Sequence, residues 1–179
     1  MVKYKSYTGI GARDTPESVI RFFTDVATYL AKNYYTLRSG GAVGADSAFE
    51  RGCNKIIGKK EIYLPWRGFS NSDSSFIVSQ DEAYKIAEKY HPAWNRLSPV
   101  VRKLMARNSH QILGLDLKTP TDFVICFTKG GAVVGGTAQA LRIAMDYNIP
   151  VFNAGLYKSI EVTREELKLF FIKNTDLKL

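Results

Sequence analysis

Residues 122–153 read DFVICFTKGGAVVGGTAQALRIAMDYNIPVFN, and this stretch decides the fold. Its opening run, DFVICF, is almost continuously apolar, as expected of a central strand covered on both faces. A glycine-rich turn follows. The segment GGTAQALRIAMDYNIPVFN then reads as helix, turn and returning strand, so the two strands should run parallel.

The same rhythm extends outward from this unit. Further β-prone runs lie at 4–8, 35–39 and 61–64, beside those at 122–128 and 150–153. Between the first two, Val19, Phe22, Phe23, Val26, Ala27 and Leu30 recur at helical spacing, with Thr15 placed to cap and Pro16 in the first turn. Residues 65–97 break the alternation: GFSNSDSS is a polar loop, 79–90 carries a helical pattern, and HPAWNRLSP is another loop. They read as an excursion over the sheet. A further helix opens with Ser98 as cap and Pro99 in its first turn, and carries Val101, Leu104, Met105 and Ile112 on one stripe. Asn108 falls on that stripe. A closing amphipathic helix is expected at 162–174. The fold class is α/β: a single Rossmann-like domain over 1–179, with a mostly parallel sheet flanked by helices.

Composition narrows the function classes. A chain of 179 residues, 45% hydrophobic, is long enough for one sizeable core and short for two. Cys53 and Cys126 lie far apart and beside no histidine cluster, so they read as buried small apolar residues, with no disulfide, metal site or cofactor expected. The opening MVKYKSYTGIGAR lacks the apolar core of a signal peptide, and no later apolar run approaches the roughly 18 residues of a spanning helix. A cytoplasmic location and no membrane contact are expected. The formal net charge of +8 favours anionic partners. Part of that excess, Lys3, Lys5, Lys158, Lys168, Lys173 and Lys178, sits near the termini and reads as a solvated face.

Three glycine-bearing loops follow expected strands, and the carboxyl ends of parallel strands converge on one crevice. The first carries Thr8, Gly9, Gly11 and Arg13, whose guanidinium offers a planar fork for phosphate or carboxylate. Asp14 stands where the third glycine of the dinucleotide fingerprint would fall, which disfavours a standard dehydrogenase. In the second loop, Ser39, Gly40, Gly41, Gly44 and Asp46 join a strand to a helix start able to hold an anion. Asp46 either stabilises that helix dipole or contacts a ligand ribose or amine. The third runs from Thr128 through Gly135 and Gly136 to Thr137, and is the best phosphate site of the three. No lysine follows its last glycine, so a Walker-type ATPase is disfavoured.

Taken together, Gly11-Ala12-Arg13, Ser39-Gly40-Gly41-Ala42-Val43-Gly44-Ala45-Asp46 and Gly135-Gly136-Thr137 resemble the motifs of the SLOG superfamily, which includes DprA (Smf) proteins and the LOG nucleotide phosphoribohydrolases. The resemblance covers roughly residues 3–153. It is nearest to small stand-alone phage-encoded members with an Arg-Asn-x-x-x-Leu-Gly helix end, here Arg107-Asn108 through Leu113-Gly114. It implies a nucleotide or nucleotide-derived ligand, single-stranded DNA as an alternative partner, a homo-oligomer, and a bacterial or phage-infected cytoplasm. Asn108, polar on an apolar stripe, needs a partner from backbone or ligand. The LOG glutamate three residues after the threonine is replaced here by Ala140, so hydrolysis by that mechanism is not expected; Asp46 or Glu50 would have to supply another carboxylate. His91 and His110 are expected to be non-catalytic. Trp66, Phe69 and Trp94 either stack a base or pack beneath the excursion.

Overall fold

The apolar run that anchors the sequence reading is the fourth of five strands. The structure, a computed structural model, describes residues 5–177; Lys3, Tyr4 and Lys178, named above, lie outside them. In chain order the elements are β1 (Ser6–Gly11), α1 (Glu17–Lys32), β2 (Thr36–Ser39), α2 (Ala45–Asn54), β3 (Lys60–Ile62), α3 (Asp81–Tyr90), α4 (Pro99–Leu113), β4 (Phe123–Phe127), α5 (Ala138–Asp146), β5 (Val151–Asn153) and α6 (Ile160–Asn174). The strands form one all-parallel sheet in the order β3-β2-β1-β4-β5. The chain is a single Rossmann-like α/β domain.

Burial on both faces explains the near-continuous apolarity of β4. Phe123 and Ile125 join Tyr7, Leu37 and Phe152 in a core with Phe23, Leu30, Phe49, Leu167 and Phe171 of α1, α2 and α6. Val124 and Cys126 face the other way, into a second core with Ile10 and with Ala106, Ile112, Ala140 and Ile143 of α4 and α5. Burial pushes the Cys126 thiol up to about 12, so it behaves as a small apolar group. Among the described residues, no helix is long and apolar enough to cross a membrane.

Several element ends differ from the sequence reading. Strand β1 runs on to Gly11, pairing Gly9 with Ile125 and Gly11 with Phe127, so the first glycine segment belongs to the strand itself. Its glycines face α2, which packs so closely that a Cβ on Gly9 would lie 2.5 Å from Phe49 Cγ. Thr15 does not cap α1; its hydroxyl donates to the Ala12 carbonyl at 2.6 Å, and Pro16 occupies the cap position. Ser98, by contrast, accepts from the Val101 N–H at 3.4 Å with Pro99 following, as its position predicts. Helix α6 starts at Ile160, earlier than expected, because Ser159 accepts from the Val162 N–H at 3.3 Å. Within the excursion, Phe69 is buried edge-on to Trp66 at 5.1 Å, and Trp94 is buried beneath the Arg102 guanidinium. These rings pack.

Candidate functional site

The order of the strands fixes where a ligand can enter. From β1 the chain steps outward through β2 to β3, then crosses back to β4 and continues outward through β5 on the opposite side. The connections leaving β1 and β4 therefore diverge and leave a crevice at the carboxyl ends of these strands. A cavity of about 450 Å³ occupies that place.

Gly11, Arg13, Asp46, Asn108, Thr128, Gly135, Gly136 and Thr137 all line this cavity, and the third loop and α4 supply most of the remaining wall. Gly9, Ser39, Gly40 and Gly41 lie outside the lining and support it. The Ser39 hydroxyl donates to the Gly9 carbonyl at 2.7 Å, joining β2 to β1. Gly40 leaves room for Arg107, whose guanidinium donates to the Gly40 carbonyl. Gly41, at φ +66°, turns the chain beneath Leu64.

Asp46 is the clamp between the first two loops. Its Oδ1 accepts from the Gly11 N–H and its Oδ2 from the Gly40 N–H, each at 3.2 Å. Burial pushes its pKa up to about 6, against the opposing pull of Arg107 and of the Ala42, Gly11 and Gly40 N–H groups. The start of α2 is closed as well. Gly44, at φ +89°, lies against the Ala12 and Arg13 backbone, and the Ala45 N–H donates to the Ala12 carbonyl at 3.3 Å.

The third loop is open. No atom lies within 4 Å of the place a Cβ would take on Gly135 or Gly136, and the Thr137 hydroxyl makes no capping bond at the start of α5. Asn108 holds this loop from α4, its Nδ2 donating to the Gly136 carbonyl at 2.9 Å. Of the two partners open to it in the sequence, backbone is the one observed. Thr128 is tied to Asn153, whose Nδ2 donates to the Thr128 hydroxyl at 2.7 Å while its Oδ1 accepts the Thr128 N–H at 3.1 Å.

Arg13, Arg107 and Lys129 bring three cations to the lining against one carboxylate, Asp46. Arg107 is buried, with Nη1 donating also to the Tyr63 carbonyl at 3.3 Å and the guanidinium 5.4 Å from the Phe69 ring centre. Its Nε is buried without a hydrogen-bond partner. Burial and the nearby Arg13 lower its pKa to about 10, while Asp46 opposes the change, so it stays cationic at neutral pH. Val101, Leu104, Met105 and Val134 supply an apolar wall beside these charges.

Arg107, Gln111 and Lys129 join the lining although the sequence reading did not nominate them as ligand contacts. The clue for two of them is helical phase, since Leu104, Asn108 and Gln111 share one face of α4 and Arg107 adjoins it. The groups set aside as non-catalytic lie elsewhere. His110 is buried with Nδ1 3.0 Å from the Gly114 carbonyl, and burial keeps its pKa low; His91 Nδ1 accepts from the Ala93 N–H at 3.2 Å. Ala140 sits in the apolar core, and Glu50 pairs with Lys60 at 2.6 Å away from the cavity. Among the described residues, no group of three His, Cys, Asp or Glu side chains is placed to hold a metal ion.

No protein-family model and no curated protein matches the sequence. Solved structures do. DNA processing protein A from Helicobacter pylori, described for its single-stranded DNA binding mode, is similar at a TM-score of 0.56 and 20% identity over 84% of this chain and 65% of that one. The chain therefore spans just under two thirds of that protein's length. The molybdenum cofactor carrier protein of Chlamydomonas reinhardtii is similar at a TM-score of 0.48 and 13% identity, over 96% of this chain and 87% of that one. At these identities the likeness is one of architecture: the chain shares the Rossmann-like fold of the Helicobacter pylori protein.

Proposed function

We propose that this protein is a SLOG-type binding protein that holds a phosphate-bearing nucleotide or nucleotide-derived signal in the cavity at the ends of β1 and β4, without turning it over. One observation carries the reading: the unobstructed start of α5 opens onto a cavity lined also by Arg13, Arg107 and Lys129. The helix dipole and nearby guanidinium groups both favour a phosphate. The apolar wall of α4 suits the base or sugar. Binding without chemistry follows from the carboxylates: both oxygens of Asp46 accept backbone N–H groups, and Ala140 offers no acid. We assign it a role in sequestering or sensing a signalling nucleotide in a bacterial or phage-infected cytoplasm.

Mass spectrometry of small molecules released from the denatured protein, followed by calorimetry with the compounds found, tests this. Replacing Arg13 and Lys129 together by alanine should weaken binding at least roughly ten-fold, since hydrogen bonds to charged groups contribute about 1.5–3 kcal/mol each. Unchanged affinity would move the ligand elsewhere.

Single-stranded DNA is the second reading, favoured by the architectural likeness to the Helicobacter pylori protein and by the net charge of +8. It requires binding that persists near physiological salt and survives Thr137→Val. Diffuse positive charge alone would lose DNA steeply as salt rises.

A further inference from the structure

The cavity presents different chemistry at its two sides. Lys129 and the start of α5 follow β4, whereas Gly40 follows β2, and β1 lies between them. Two strand spacings set these sides about 10 Å apart, a separation that suits the phosphate and the base of one nucleotide. Beside Gly40 the charges offset one another: Asp46 accepts the Gly40 N–H, and the Arg107 guanidinium donates to the Gly40 carbonyl. A second phosphate gains little there. A neutral polar group does not meet the Asp46 charge as an opponent.

Gln111 is the group on this side that the fold leaves unused. It is 2% exposed and lines the cavity. Its main-chain carbonyl accepts the Thr8 hydroxyl at 2.5 Å, which pins this turn of α4 over β1. Its side-chain nitrogen shares with Arg107 the space that a side chain on Gly40 would fill. Among the described residues, the Gln111 amide has no hydrogen-bond partner, yet it is not sealed off from solvent, so it opens into the cavity. Buried amides are ordinarily paired. One turn earlier, Asn108 commits its Nδ2 to the Gly136 carbonyl, which leaves Oδ1 as a fixed acceptor. Leu104 and Met105 continue the same face of α4 as apolar surface.

We propose that Gln111, with the fixed Asn108 oxygen, reads the hydrogen-bonding edge of the ligand's nucleobase, whose ring lies against Leu104 and Met105. The proposal rests on the phosphate site at the start of α5. A primary amide both donates and accepts, as a base edge does. A ligand with no base, or with donor and acceptor exchanged, leaves these buried groups unpaired and is rejected on that ground. Gln111 is thus a specificity-determining residue.

Calorimetric titration of the wild-type protein with AMP, IMP and ribose 5-phosphate tests this. AMP and IMP share one shape and one phosphate, but an amino group beside a bare ring nitrogen in AMP becomes a carbonyl beside a ring N–H in IMP. Their affinities should differ by roughly ten-fold or more, and ribose 5-phosphate should bind more weakly than the better of them. Gln111→Leu, close in volume, should bring AMP and IMP to within about two-fold of each other, with a melting temperature no lower than that of wild type, because the lost amide has no partner in the free protein. Gln111→Glu keeps the length but replaces a donor by an acceptor, and should shift the preference towards AMP, whose amino group donates. AMP and IMP bound alike by wild type would overturn the proposal and leave the phosphate site standing. So would ribose 5-phosphate bound as tightly as either, or a preference that survives Gln111→Leu. No binding of any of the three, or binding that ignores joint replacement of Arg13 and Lys129 by alanine, would overturn the phosphate reading and this proposal with it.

Discussion

Gly9→Ala separates a packing role from a ligand-contact role at the first glycine loop. The new methyl carbon would lie 2.5 Å from Cγ and 2.8 Å from both Cδ atoms of Phe49, against about 3.5–4.0 Å for a relaxed carbon contact. Phe49 cannot yield easily. It is fully buried, stacked on Phe23 with ring centres 4.4 Å apart and edge-on to Tyr7 at 6.1 Å. Overpacking of this kind costs about 1–3 kcal/mol. The loss of unfolded-state freedom on replacing glycine returns about 0.4–1 kcal/mol, since the extended backbone of β1 accepts alanine. A net loss of about 1 kcal/mol remains, which for a chain of this length lowers the melting temperature by about 2–4 °C.

Differential scanning calorimetry reads that shift, and calorimetric titration with a nucleotide identified from the purified protein reads the site. Melting should fall while affinity at 20 °C stays within about two-fold. Phe49→Leu, which removes the opposing ring edge, should show favourable coupling with Gly9→Ala of about 1 kcal/mol or more in a double-mutant cycle. An unchanged melting temperature with binding lost would refute the packing account and put ligand against the Gly9 backbone.

Asp46 predicts a pH dependence. Its pKa is raised from 3.8 to about 6, so the folded state is favoured most below about pH 4 and loses that advantage as pH rises to about 6, a span of roughly 3 kcal/mol. In urea unfolding, the stability of wild type relative to Asp46→Asn should therefore fall between pH 4 and pH 6.5; a rise would contradict the assignment. Asn108→Leu should cost about 1 kcal/mol of stability but weaken ligand binding about ten-fold by releasing the Gly136 carbonyl, and equal affinity would show that the loop needs no tether. Incubation with nucleoside monophosphates, NAD and ADP-ribose should release no base, and multiple turnover abolished by Asp46→Asn would overturn binding without chemistry.

Much of the fold was legible because it rests on short-range pattern. Alternating strand and helix periods, the continuous apolarity of 122–127 and the Ser98-Pro99 start each depend on neighbours in sequence. What was hidden depends on partners far away. Strand β1 extends through Gly9 and Gly11 because α2, 35 residues on at Asp46, packs against them and binds the Gly11 N–H. Glycine has low strand propensity, so local reading ended the strand early. Arg107 belongs to a local Arg-Asn motif, yet its approach to Gly40, 67 residues away, appears only once α4 lies across the crevice.

The same logic separates two helix starts that look alike in sequence. Both α2 and α5 follow a strand and a glycine-rich loop, so both should attract an anion. Helix α2 already has one: Asp46 stands in its first turn, holds the Gly11 and Gly40 N–H groups, and lies beneath the backbone of the first loop. Helix α5 has no acidic residue in its first turn, no side-chain cap and open space around Gly135 and Gly136. Its positive end is left facing a cavity with Arg13 and Lys129 beside it. An acidic residue introduced there, Thr137→Asp, would supply from within the chain the charge that the ligand is proposed to bring. It should stabilise the free protein by about 0.3–1 kcal/mol through the helix dipole while excluding an anionic ligand. Stability gained with affinity lost, in one substitution, is the signature that assigns the anion to α5; affinity kept after Thr137→Asp would place the phosphate on another wall.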